Sequence, residues 1–118
     1  MKLSALLAAT LLFPLSLQAA EPVLIDVYID GKLQEQVKLA GANAHYQFWI
    51  KNDLDTSLEM RLIAPEPLIV DIRETTAGRE APNGSGRVKL VGARDSFSVA
   101  DLKEGASFRH QYTLVRPN

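Results

Sequence analysis

Cysteine is absent from the 118 residues. That excludes disulfides, thiolate nucleophiles, thiolate metal sites and a lipid anchor carried on a cysteine. It also excludes a blue-copper centre, which needs a cysteine beside two histidines. Only two histidines, His45 and His110, are present, and Met60 is the single methionine beyond Met1. Positive charge is not in excess: 13 Lys and Arg face 14 Asp and Glu. A nucleic-acid partner, which requires a basic surface, is therefore not expected. No phosphate-cradling glycine pattern occurs. Gly84-Ser85-Gly86 is not the G-x-S-x-G elbow of a serine hydrolase and has no strand-turn-helix context around it. Beyond the first twenty residues no long apolar run remains, so no membrane insertion of the later chain is expected.

What is present begins with a tripartite leader. Lys2 supplies a positive start, Leu3 to Leu17 is rich in Leu and Ala, and Leu17-Gln18-Ala19-Ala20 ends on small residues. This is the pattern of a secretory signal peptide cleaved after Ala19 or Ala20. The expected organisation is a signal peptide over 1–20 and a single β domain over 21–118. The expected location is the periplasm, with secretion beyond it as the other possibility.

From Val23 onward, alternation dominates. Val23, Ile25, Val27 and Ile29 share one strand face, with Leu24, Asp26 and Tyr28 on the other. Asp30-Gly31 is a two-residue hairpin signal, and Leu33, Val37 and Leu39 are expected to face inward on the return strand. His45 to Lys51 predicts a strand with Tyr46, Phe48 and Ile50 inward and His45, Gln47 and Trp49 outward. Asn52 to Ser57 is expected to be a loop. Leu58, Met60 and Leu62 mark a fourth strand, Ala64 to Pro67 a connection, and Leu68, Val70 and Ile72 a fifth strand. Thr75 to Gly86, with three glycines and a proline, is expected to be a mobile loop. Short strands are expected near 88–91 and 97–99, a turn over 102–105, and a last strand over 107–116 with Phe108, Tyr112 and Leu114 on one face. The pattern predicts an all-β chain of seven to eight short antiparallel strands, as a sandwich or small barrel.

The segments YQFWIKNDLDTSLEMRLIAPEPLIV and SVADLKEGASFRHQYTLV resemble bacterial immunoglobulin-like modules. The resemblance rests on a strand, an Asn-containing turn at Asn52, a second strand and a proline, then a Leu-x-x-Gly turn at Leu102 to Gly105 into a final strand. It covers about half of residues 21–118. It implies a Greek-key sandwich and no particular activity.

Candidate binding residues follow from exposure by parity. Trp49 stands with the polar face of its strand, and large exposed rings mark interaction surfaces. His45 shares that face, and Tyr28 and Leu24 on the first strand are expected to extend the patch. The loop residues Arg79, Glu80 and Asn83 form a second candidate, because loops on rigid scaffolds carry recognition. His110 is expected to be a hydrogen-bonded, half-buried histidine, not half of a metal pair. No catalytic residue, metal ligand or cofactor is expected. The function expected is a small exported non-enzymatic domain that binds another envelope or secreted protein, as an accessory or assembly factor or as an inhibitor. Two alternatives are a carbohydrate or small-ligand module stacking on Trp49 and Tyr28, and a cupredoxin-like metal chaperone using His45, Met60 or His110.

Overall fold

The β-branched alternation of the chain folds into eight strands in a computed structural model that describes residues 21–102 and 107–117. The leader and its cleavage site lie outside the described residues, as does most of the turn expected at 102–105. The strands are β1 (Val23–Ile29), β2 (Lys32–Leu39), β3 (His45–Ile50), β4 (Asp53–Pro65), β5 (Leu68–Thr76), β6 (Gly84–Leu90), β7 (Ser96–Ser98) and β8 (Tyr112–Val115). A 3₁₀ turn, Val99–Asp101, follows β7 where a strand was expected to run on to Val99.

Two antiparallel four-stranded sheets result, ordered β2-β1-β8-β7 and β3-β4-β5-β6. Every hydrogen-bonded pair but one is consecutive in sequence, and the exception joins first to last, β1 to β8. A Greek key needs a strand that returns over a long connection to lie beside an earlier one, in the order 4-1-2-3. The pairs here are neighbours in sequence apart from β1 with β8.

Between the sheets lies one apolar cluster. Ile25, Val27, Val37 and Leu39 come from the β1–β2 hairpin. Phe48, Leu58, Met60, Val70, Ile72 and Val88 come from the other sheet, and Tyr112 and Leu114 from β8. These are the inward positions that period-two alternation predicts.

The first hairpin turns through Asp30 at φ 52° and Gly31 at φ 86°, the two positive φ values of a type I′ turn. One expectation fails here. Val27 pairs with Glu35 but Tyr28 pairs with Leu33, so Gln34 is a bulge. The extra residue reverses parity, and Leu33 stands outward, 55% exposed. Gln34 is then free to bridge the sheets: its side chain donates to the Trp49 carbonyl at 3.0 Å and accepts from the Lys51 amide at 3.2 Å. Tyr46 has inward parity but sits on an edge strand and is exposed, its hydroxyl donating to Glu35.

Two expected loops are shorter than predicted. Asp53 to Ser57 belongs to β4, because the β3–β4 turn closes at Lys51 and Asn52. Thr75 and Thr76 belong to β5 and Gly84 to Gly86 to β6, which leaves 77–83 as the loop. The glycines of β6 answer a packing demand. A Cβ on Gly84 would stand 2.8 Å from the Phe108 ring, and one on Gly86 would overlap the Leu102 side chain. Between β4 and β5 the Glu66–Pro67 peptide is cis.

Candidate interaction face and polar end network

The outward positions of the β3-β4-β5-β6 sheet form a flat polar surface in aligned rows. His45 lies opposite Arg61, Arg61 opposite Asp71, and Asp71 opposite Arg87. In the next row Gln47, Glu59, Arg73 and Ser85 are neighbours, and beyond them Trp49, Ser57 and Thr75. Cross-strand pairs of opposite sign place the charges. Arg61 and Arg87 close on Asp71 at 3.3 and 2.7 Å, and Arg73 closes on Glu59 at 2.6 Å. The Arg87 and Arg61 guanidiniums beside Asp71 hold its carboxyl below the usual carboxylate range, with the Arg87 hydrogen bond the larger cause. An open depression of about 470 Å³ crosses this face, lined in part by His45, Arg61, Arg73 and Ser85. Trp49 lies outside that lining, in the row beyond Gln47 and Glu59, and is 52% exposed.

Trp49 and His45 therefore share one face, two rows apart on β3. Tyr28 and Leu24 do not join them. They lie on the outer side of the β2-β1-β8-β7 sheet, opposite Leu33 and Lys38, and both are only half-buried. The expected continuous patch is corrected, because parity separates inside from outside but does not say which of two sheets a strand joins. The stacking platform of Trp49 with Tyr28 is lost for the same reason.

Among the loop candidates, Arg79 and Glu80 are exposed, and Arg79 donates to the Asn83 side chain at 2.9 Å. Asn83 turns inward. Its amide donates to Glu74 at 2.9 Å and to Thr76 at 2.6 Å, so it anchors the loop and is not presented by it.

That anchor belongs to a network at one end of the two sheets. Glu74 is fully buried. Its Oε1 accepts from the Asn83 amide and the Arg109 backbone N–H. Its Oε2 accepts from the Tyr112 hydroxyl at 2.5 Å and the His110 backbone N–H at 3.2 Å. Burial, then the hydrogen bond to Glu74, pushes the Tyr112 phenol far above its ordinary value. His110 continues the network outward: Nδ1 meets Asp30 at 2.7 Å and Nε2 meets Asp53 at 2.9 Å. Burial pulls the His110 pKa down, but the hydrogen bonds to Asp53 and Asp30 outweigh it, and the net shift is upward. An imidazole donating to two carboxylates is the imidazolium, which leaves neither nitrogen to act as a base. Asp53 is further held by Thr56 at 2.7 Å and Arg109 at 3.3 Å. Among the described residues no buried side-chain nitrogen or oxygen lacks a partner.

His45 and His110 are thus on different features, and Met60 is sealed in the core, so the three do not assemble as ligands. Among the described residues no group of three or more His, Cys, Asp or Glu is placed to hold a metal ion. The sequence reading missed Glu74, Asp30 and Asp53 as network members. Their partners among residues 109–112 lie 35 to 81 residues away, and only the charge at Glu74, amid the strand pattern of β5, hinted at a special role. In comparisons with family models, curated proteins and solved structures, no match to this chain was found.

Proposed function

We propose that this chain is a small exported, non-enzymatic binding domain whose outer β3-β4-β5-β6 face contacts another envelope or secreted protein. The carrying observation is Trp49, half exposed at the end of a face bearing three arginines that are more than half exposed. Trp and Arg dominate the energetic centres of protein interfaces. Two further features support the reading. The one half-buried histidine has both nitrogens committed to carboxylates. The polar end network ties elements together without exposing a nucleophile. The leader pattern supports export to the periplasm.

Site-specific photo-crosslinking in cells tests the interaction face. A benzophenone side chain at position 49 is expected to give a discrete protein adduct. The same group at position 38, on the opposite outer face, is expected to give none. Equal labelling from both positions, or none from 49, refutes the assignment. Trp49→Ala is expected to change folding stability by less than about 1 kcal/mol, since little packing is lost, and to weaken binding by about 2 kcal/mol or more.

A further inference from the structure

The charge of the chain is segregated. The outer β3-β4-β5-β6 face carries Arg61, Arg73, Arg87 and Lys89 against Glu59 and Asp71. The other residues from Glu21 onward carry eight Lys and Arg against twelve Asp and Glu. A chain with an acidic excess thus gathers a net cationic charge on one sheet face.

The arginines on that face are not saturated. A guanidinium has five N–H donors in a fixed fork. Arg61 and Arg73 each commit Nη2, and Arg87 commits Nε and Nη2. Among the described residues no hydrogen bond is made by the Nη1 group of any of the three. Asp71 gathers the Arg61 and Arg87 Nη2 groups on its Oδ2 while Glu59 engages Arg73, so the shared anionic position is already filled and a ligand meets the donors left on three separate side chains. Adjacent strands lie about 4.8 Å apart and alternate residues about 6.7 Å apart along a strand. The three arginines therefore form a triangle with edges of roughly 8 to 10 Å at the backbone. Alternate side chains of an extended peptide repeat on nearly that scale. The intervening Asp71 and Glu59 would repel a continuous anionic sheet such as a phospholipid surface, whereas a peptide can place its carboxylates between them.

We propose that this face docks an extended, carboxylate-rich segment of a partner protein, received by Arg61, Arg73 and Arg87 with Trp49 packed against one end of the segment. The inference rests on the interaction face assigned above and adds the chemistry of its occupant.

The probe is a synthetic peptide of about ten residues alternating Glu and Ser, with a Lys–Ser peptide as control and phosphatidylglycerol vesicles as the competing surface. Binding is read from Trp49 emission and from backbone amide shifts of protein purified after expression of the full chain. The Glu–Ser peptide is expected to bind, with shifts centred on positions 61, 73 and 87 and an affinity that falls as salt rises. The triple variant Arg61→Gln, Arg73→Gln, Arg87→Gln is expected to lose binding by about tenfold or more. Lys38→Gln, on the other outer face, is expected to bind as before. Exposed ion pairs contribute little to folding, so the triple variant should keep its circular dichroism spectrum; if it does not, the single Arg73→Gln variant carries the comparison. No binding of the Glu–Ser peptide, equal binding of the Lys–Ser peptide, undiminished binding by the variants, or binding to vesicles alone overturns the proposal. If position 49 still crosslinks a protein while the arginine variants leave that adduct unchanged, the carboxylate chemistry fails and the interaction face stands. If position 49 gives no adduct, the face itself fails.

Discussion

Replacing Glu74 with glutamine isolates the polar end network from the rest of the fold. The side chain is fully buried and its two oxygens receive four donors. An amide of the same shape keeps one oxygen for Asn83 and Arg109, but turns an NH₂ group toward Tyr112 and His110. The Tyr112 hydroxyl can rotate and accept from it; the His110 backbone N–H cannot. A hydrogen bond to a charged group contributes about 1.5–3 kcal/mol, and an orphaned buried donor costs about 1–3 kcal/mol. The expected loss for Glu74→Gln is therefore about 2–4 kcal/mol. Glu74→Ala orphans all four donors and should cost more than about 4 kcal/mol, a large share of the roughly 5–15 kcal/mol available to a small domain. Tyr112→Phe removes one donor and leaves three, for about 1.5–3 kcal/mol. Because Glu74→Gln and Tyr112→Phe disturb the same contact, the double variant should lose less than the two singles together. Urea unfolding followed by far-ultraviolet circular dichroism gives all four values; Trp49 is too exposed to be the reporter. A Glu74→Gln variant within about 0.5 kcal/mol of the parent would show that this carboxylate is not the hub described.

Stability should also depend on pH through His110. Its folded pKa lies above the ordinary 6.5, so its contribution is complete below about pH 6.5 and is lost as pH rises through the raised value. Asp30 is held below 3.8 chiefly by the Gln111 backbone N–H, and Asp53 chiefly by its hydrogen bond to His110. Their contributions are present above about pH 4 and are lost as pH falls through the lowered values. Unfolding midpoints should therefore peak between about pH 4 and 6.5, and His110→Ala should flatten the alkaline limb; parallel slopes in the two proteins would refute this. In the first hairpin, Gly31→Val places a β-branched residue at φ 86° and should cost about 1 kcal/mol or more, while an unchanged melting temperature would contradict the turn. N-terminal sequencing of protein from the envelope fraction is expected to begin at Ala20 or Glu21, and an intact Met1 there would rule out cleavage.

The inward faces of β1, β4 and β5 were legible because burial on one side of a sheet writes itself as alternation, and Asp30-Gly31 was legible because few residue pairs accept two positive φ values. Leu33 was misread because a bulge at Gln34 costs one residue and carries no composition of its own. Gly84 and Gly86 look like loop residues, yet they are strand residues made small by Phe108 and Leu102, which approach from elsewhere in the chain. The outward placement of Trp49 and His45 on one strand face followed from parity. Their separation from Tyr28 and Leu24 was not, since alternation is a property of one strand and sheet membership is a property of all eight. The bonds of His110 to Asp30 and Asp53 span 80 and 57 residues, and nothing local in the sequence encodes them.

The pairing of β1 with β8 makes this fold conditional on residues 112–115. On the side away from β2, Asp26 to Ile29 pair with Tyr112 to Val115, so the opening hairpin keeps an unpaired edge until β8 is in place. A polypeptide that stops before Tyr112 holds β1 with bare amides on one side and an uncovered apolar face beneath, the condition under which strands recruit strangers. Arrival of β8 and closure of that edge of the sheet are the same event.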